Sequence, residues 1–254
     1  MQQWKLRILL WLIWLALDSP LQISAEANED FTPLFNGMSL HGWVAVGTAD
    51  AFIVKNDAIF STGASPYPSW IRTEQEYENF VLRFEYQTEG WYEGGVLLHA
   101  PLHGPGSKLG FKIHLRHEQK AYGLRSPGAI YDAAAPRSIA NLPSGKWNYC
   151  EINCDWPRLR ITLNDELIHD ISMDTHDAFK HRLRRGFIGI QNIGCRASFK
   201  NIKIRELPDQ EKLWQPLFRS GMAGMHKQGQ SDWSIANEVL TGKGVDGVAV
   251  TRAE

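Results

Sequence analysis

Three cysteines in 254 residues are too few for a disulfide framework, and a formal net charge of −1 removes the electrostatic case for nucleic acid or an anionic membrane as partner. Cys150 and Cys154 share one alternating stretch, YCEINCDW, in which four residues of strand span about 13 Å against a Cα separation of at most about 7 Å for a bridge. They cannot pair with each other; either can pair with Cys195, or all three can be small buried residues. No Cys and His spacing fits a zinc site. Between Phe31 and Leu207 no window sustains an amphipathic helix of three turns, and DTHDAFKHRL supports one turn at best. A long apolar run is missing too, since Ile8 to Leu17 falls well short of the roughly 20 residues that span a bilayer. Lys5 and Arg7 before that run, and the small residues of Ala25-Glu26-Ala27 after it, make residues 1–27 an export signal. The expected product is secreted, or held in the periplasm or cell envelope, with no membrane span after cleavage.

The chain is rich in turn formers and aromatics instead, with 22 Gly, 12 Pro and 10 Trp. Its visible periodicity is two. Phe80, Leu82, Phe84 and Tyr86 oppose Arg83, Glu85 and Gln87; Phe111, Ile113 and Leu115 oppose Lys112, His114 and Arg116; Leu159, Ile161 and Leu163 oppose Arg160, Thr162 and Asn164, with Asn164-Asp165 turning into ELIHDI. Short half-buried strands between Gly, Pro, Asn and Asp turns predict an all-β, two-sheet antiparallel sandwich of the jelly-roll kind over residues 28–207, whose curved sheets leave a concave polar face.

The opening of that domain recurs. FTPLFNGMSLHGWVAVGTADAFIVKNDAIFSTG from Phe31 shares its order of Pro-Leu-Phe, Gly-Met, an aromatic and an aliphatic two apart, Asn-acidic and Thr-Gly with WQPLFRSGMAGMHKQGQSDWSIANEVLTGKG from Trp214. Trp233 then corresponds to Phe52, Ile235 to Val54 and Asn237 to Asn56. Residues 208–213 read as a polar linker and 214–254 as the start of a second, similar repeat, cut short.

PLFNGMSLHGW, GGVLLHA, GFKIHLRH, GAIYD, LPSGKWN, ITLNDELIHD, GFIGIQNIG and FKNIKIREL, in this order, resemble the 3-keto-disaccharide hydrolase domain family over Phe31 to Leu207. The resemblance implies a concanavalin-like jelly roll, of the lectin and glucanase type, acting on glycosides oxidised at carbon 3. It does not imply a glucanase mechanism, because the E-x-D-x-x-E strand that brings two carboxylates together is missing. The chain also departs from the family: Lys112 and His114 stand where many members carry Glu and Gln, and His99 takes the place of a basic residue that usually ends the GGVLLHA strand.

A 3-keto sugar has an acidified hydrogen at carbon 2 and a leaving group at carbon 1, so proton abstraction and elimination followed by hydration can cleave it. That route needs a base, a cation or donor for the enolate oxygen, and an acid for the leaving oxygen. His99 and His114 are the candidate bases, both read on the outward face of their strands, with Glu93 on the same parity as His99. Lys112 and Arg116 flank His114 and can hold the enolate; Asp132, after GAIY, can serve as acid or metal ligand. Trp91 and Tyr131 suit the apolar face of a pyranose, as do Tyr92 and Trp147, although Trp43 and Trp147 read better as core. Gln191 and Asn192 can bind hydroxyls or end a strand. HRLRR, at His181 to Arg185, reads as a solvated turn. No cofactor is required, though a divalent metal on Glu93, His99, His114 and Asp132 would acidify carbon 2. The enzyme reading implies a sugar 3-dehydrogenase acting upstream. The alternative is a non-catalytic carbohydrate-binding module of a larger envelope protein.

Overall fold

A computed structural model describes residues 30–64, 69–208, 225–236, 239–244 and 247–251. The export segment 1–27 and most of the linker 208–213 lie outside these. The chain divides into two compact units, Met1–Leu207 and Pro208–Glu254. No helix among the described residues is long and apolar enough to cross a membrane.

The first unit contains β1 (Thr32–Pro33), β2 (Trp43–Val46), β3 (Phe52–Lys55), β4 (Ala58–Thr62), β5 (Ser69–Tyr77), β6 (Phe80–Glu89), β7 (Gly95–Ala100), a one-turn helix α1 (Gly106–Leu109), β8 (Phe111–His114), β9 (Asn148–Asp155), β10 (Arg158–Leu163), β11 (Glu166–Ser172), β12 (Gly186–Asn192) and β13 (Arg196–Glu206). One sheet has the order β11-β10-β9-β6-β13-β4-β3, with β1 added on β13; the other runs β2-β5-β12-β7-β8. Strands pair antiparallel throughout. The fold is the expected all-β jelly-roll sandwich.

Period-two patterning places the core. Phe80, Leu82, Phe84 and Tyr86 from the larger sheet meet Ile71, Val96, Leu98, Phe111, Ile113, Ile188 and Ile190 from the smaller one. Asn164 and Asp165, both at positive φ, make the turn between β10 and β11; short polar side chains tolerate that conformation better than most. Cys150, Cys154 and Cys195 are buried free thiols, so the pairing with Cys195 does not form. Burial raises all three thiol pKa values, that of Cys154 to about 12, which makes them core residues.

The alternation breaks at one place that matters. Opposite β12, Phe187 pairs with Ala100 but Gly189 pairs with Leu97, so Leu98 and His99 together face Ile188. This is a β-bulge on β7, and His99 adopts φ 49° within it. The extra residue reverses the facing of His99. Its ring turns into the sandwich, edge-on to Phe80 and Phe111 with centroids at 5.6 and 5.9 Å.

In the second unit, β14 (Met225–Gly229) pairs with β17 (Gly247–Thr251), and β15 (Asp232–Ala236) pairs with β16 (Val239–Lys243). The nesting is that of the first unit, where β2 pairs with β5 around the hairpin of β3 and β4. Both inner hairpins close around two residues, through Lys55 with Ala58 and Ala236 with Val239. Phe52 and Trp233 each sit three positions before that closing pair.

Candidate functional site

The outer face of the smaller sheet is built from the residues that alternate with its core positions: Trp70 on β5, Gly189 and Gln191 on β12, Gly95 and Leu97 on β7, Lys112 and His114 on β8. The chain beyond β8 then folds back as an extra edge. Tyr131 N–H donates to Lys112 O at 2.9 Å, His114 N–H to Ala129 O at 2.8 Å and Gly128 N–H to His114 O at 2.7 Å. This return extends the sheet by an edge and lays the Tyr131 ring as a roof over Lys112 and His114, which are buried though on the polar parity.

Beneath the roof lies a cavity of about 410 Å³ lined by Glu93, Ser107, Lys112, His114, Arg116, Arg125, Tyr131, Gln191 and Ile193. Six of the residues singled out from sequence meet there: Glu93, Lys112, His114, Arg116, Tyr131 and Gln191. The Tyr131 ring organises the group. Lys112 Nζ stands 4.4 Å from its centroid, the His114 ring meets it edge-on at 5.0 Å, and the Arg125 guanidinium lies at 5.4 Å. Gly95 forms the floor under Lys112: a Cβ there would come within 2.8 Å of the lysine stem and 2.6 Å of Ile113 O. Only a residue without a side chain lets the lysine lie across the sheet.

The charges are unevenly paired. Arg116 holds both Glu93 and Glu118. Arg125 holds Asp132 at 2.9 Å. Lys112 has no ion pair among the described residues. Burial lowers its pKa from 10.5 to about 8, against the pull of Glu93 and Asp132. Burial, with the neighbouring Lys112 and Arg116 cations, lowers His114 to about 4. His114 Nδ1 lies 3.0 Å from Arg125 O, and a second backbone contact, to Glu93, competes with it for the one proton of the neutral ring. At neutral pH the cavity therefore sets a neutral imidazole beside an ammonium that loses its proton only near pH 8. The side-chain oxygen of Gln191 is buried with no hydrogen-bond partner among the described residues, which leaves an acceptor for a ligand donor.

Other expected residues fall elsewhere. His99 is in the core, with Nε2 at 2.7 Å from Glu78 O, Nδ1 at 3.1 Å from Leu183 O and Cys154 Sγ at 3.9 Å; burial lowers its pKa and keeps it neutral. It cannot reach the cavity face, because the bulge points it inward. Asp132 sits at the rim as the half-exposed partner of Arg125, outside the lining. Trp91 is 58% exposed and leans on His117, with ring centroids 6.4 Å apart, also outside the lining. Tyr92 is fully buried. Asn192 is buried and ends its strand, donating to Ala51 O and accepting from Gly194 N–H. Glu93, His99, His114 and Asp132 are thus divided among cavity, core and rim, and among the described residues no three His, Cys, Asp or Glu side chains converge to hold a metal ion.

Sequence reasoning did not single out Ser107, Arg125 or Ile193. Arg125 was visible only as a basic residue seven positions before Asp132, a spacing without meaning until the loop folds back. The HRLRR run is more than a solvated turn. Arg182 donates to Ala178, Ser107 and Gly110 carbonyls at 2.7, 3.2 and 2.9 Å and packs on Phe111 and Phe179, which pins α1 as a wall of the site.

Residues 30–205 match the profile of a family described as the 3-keto-alpha-glucoside-1,2-lyase-like domain. Among solved structures, a candidate glycosyl hydrolase from Parabacteroides distasonis ATCC 8503 is similar with a TM-score of 0.63 at 21% identity, over 71% of this chain and 95% of that one. A second structure under the same description and from the same organism gives 0.60 at 21% identity, over 70% and 99%. At this identity the likeness speaks for the fold alone. No curated protein matches the chain.

Proposed function

Because this chain belongs to the 3-keto-α-glucoside-1,2-lyase-like family, we propose that the cavity under the Tyr131 roof cleaves 3-keto-glycosides by enolisation. The observation that carries the reading is the pair on β8: a buried ammonium without an ion pair among the described residues, beside a neutral imidazole.

The unprotonated ring nitrogen of His114 takes the proton from carbon 2, and the electron pair moves onto the carbonyl oxygen at carbon 3. An imidazole with a pKa of about 4 is a weak base, so the enolate must be stabilised as it forms. The Lys112 ammonium does this: in a partly dry site a fixed positive charge beside the developing oxyanion is among the larger contributions to catalysis. The bond from carbon 1 to the leaving oxygen then breaks and an enone remains. Water supplies the proton of the departing alcohol, the hydroxide left behind adds at carbon 1, and His114 returns its proton to carbon 2. The sum is hydrolysis; if the enone leaves first, it is a lyase reaction. Arg116 fixes Glu93, and Gln191 offers its free oxygen to a sugar hydroxyl. The ketone at carbon 3 has to come from an oxidation elsewhere, by a sugar 3-dehydrogenase.

The test is release of free alcohol from a 3-keto-α-glucoside and from the same glucoside unoxidised. Release from the keto compound alone, lost in His114→Ala with Lys112→Ala, is the expected result. Binding of both compounds with turnover of neither would overturn the enzyme reading and leave a carbohydrate-binding module.

A further inference from the structure

His169 lies on β11, the edge strand of the larger sheet, yet it meets the chain that closes the cavity on the smaller one. Regular alternation would bury only one of Ile168 and His169. Both are buried, because Ile161 pairs with His169 and Thr162 with Leu167, which leaves Ile168 as the extra residue of a β-bulge. Two consecutive side chains thus turn inward, and each meets Gly128. His169 Nε2 stands 2.8 Å from Gly128 O; a carbonyl only accepts, so this ring nitrogen donates. Ile168 Cδ1 fills the space beside Gly128, where a Cβ would come within 2.6 Å of it, and Gly128 adopts φ 77°. Glycine suits the position on both counts.

Gly128 opens the return that pairs with β8. Its N–H donates to His114 O at 2.7 Å, the next carbonyl, Ala129 O, accepts from His114 N–H at 2.8 Å, and Tyr131 N–H donates to Lys112 O at 2.9 Å. On the other side of Gly128, Arg125 O lies 3.0 Å from His114 Nδ1. One imidazole of the larger sheet therefore holds the residue from which both the Tyr131 ring and the Arg125 carbonyl are set against His114. A second tie to the same strand, Arg137 N–H on Ile168 O at 2.9 Å, is main chain only and does not depend on the ring. Burial, with the Arg137 cation, lowers the pKa of His169, so it works as a neutral donor at pH 7 and a neutral amide can stand in for it.

We infer that His169 is a positioning residue of the site: through its hydrogen bond to Gly128 it fixes the return that lays Tyr131 over Lys112 and His114. It is not part of the cavity lining and acts only through Gly128. Its effect on rate rests on the enolising role of the cavity; its hold on the return does not.

The experiment compares the wild type with His169→Gln and His169→Asn in the full chain, at pH 7 and well below the unfolding midpoint of each. The Gln amide nitrogen can take the place of Nε2, whereas the Asn amide ends where Nδ1 stands and falls short of Gly128. Two quantities are read: the nuclear Overhauser contact between the His114 and Tyr131 rings, whose centroids lie 5.0 Å apart, and kcat/KM on a 3-keto-α-glucoside. In His169→Asn the ring contact should be lost and kcat/KM should fall roughly tenfold, since small misplacements of reacting groups carry losses of that order or more. His169→Gln should restore both. A variant that only loses stability keeps the ring contact and the rate in its folded molecules, and that result overturns the inference. So does a loss of ring contact with the rate unchanged, or a loss of either that His169→Gln does not repair. If the wild type cleaves no keto compound, the enolisation reading has failed, and the ring contact with its repair by Gln decides the hold on the return alone. Should His169→Asn not fold, the wild type answers through its own Nε2 proton: slow exchange with solvent supports the bond to Gly128, and exchange as fast as in free imidazole overturns it.

Discussion

Replacing Lys112 by methionine should make the protein more stable and less active at once. The substitution keeps a flexible unbranched stem of similar length lying over Gly95, and removes the ammonium. Lys112 is 6% exposed, and the fall of its pKa from 10.5 to about 8 means that keeping it charged in the folded state costs roughly 3 kcal/mol, at 1.36 kcal/mol for each tenfold change in protonation equilibrium. Loss of the attraction between the ammonium and the Tyr131 ring takes back about 1 kcal/mol. A net gain of about 2 kcal/mol raises the midpoint of a domain of this size by about 4 to 8 °C. The pH dependence fixes the cause. Below about pH 8 folded and unfolded lysine are both charged and the folded state bears the whole penalty; between about 8 and 10.5 the folded lysine is neutral while the unfolded one still binds a proton, so wild-type stability rises with pH; above 10.5 the penalty is gone. Thermal melts of the two proteins at pH 7 and at pH 10.5 should therefore show a gap that closes. The same variant should lose about 10² to 10³ in kcat on a 3-keto-glucoside, the worth of one oxyanion-stabilising group. A midpoint that falls at pH 7, or a gap that persists at pH 10.5, would refute the argument from desolvation. Full activity in a stabilised Lys112→Met would refute the role assigned to the charge.

The rate should follow a bell in pH, rising as His114 loses its proton near 4 and falling as Lys112 loses its own near 8, read from kcat/KM between pH 3.5 and 9.5. In Lys112→Met the alkaline limb should vanish from whatever activity remains. His99→Ala should lower stability by about 2 to 4 kcal/mol, since it empties a packed site between Phe80 and Phe111 and removes the imidazole hydrogen bond to the Glu78 carbonyl, and should leave kcat/KM of the folded protein unchanged; a denaturant melt and a rate measurement on the same sample check both.

Strand alternation carried most of what sequence reasoning recovered, because burial on one face imposes period two whatever the family. It brought Lys112 and His114 to one side of β8 with Arg116 just beyond its end, and all three line the cavity. It could not tell that this side is roofed, since the Tyr131 ring is brought over it by a return of chain held by main-chain hydrogen bonds, which leave no pattern in side-chain type. So His114, expected outside, is 2% exposed. Alternation misled at His99, where one unpaired residue resets the count. Arg182 looked like one more charge in a basic run because its partners are carbonyl oxygens, which have no letter of their own.

The bulge on β7 has a bearing on how this chain is read beside its relatives. A single inserted residue moves whatever follows it from one compartment of a sandwich to the other while the letters on either side continue to align. The position that ends the GGVLLHA strand can thus be a wall of the cavity in a chain without the bulge and a filler of the hydrophobic interior in a chain with it. Roles on this strand transfer between relatives only once the pairing with β12 has been traced, residue against residue, through Ile188.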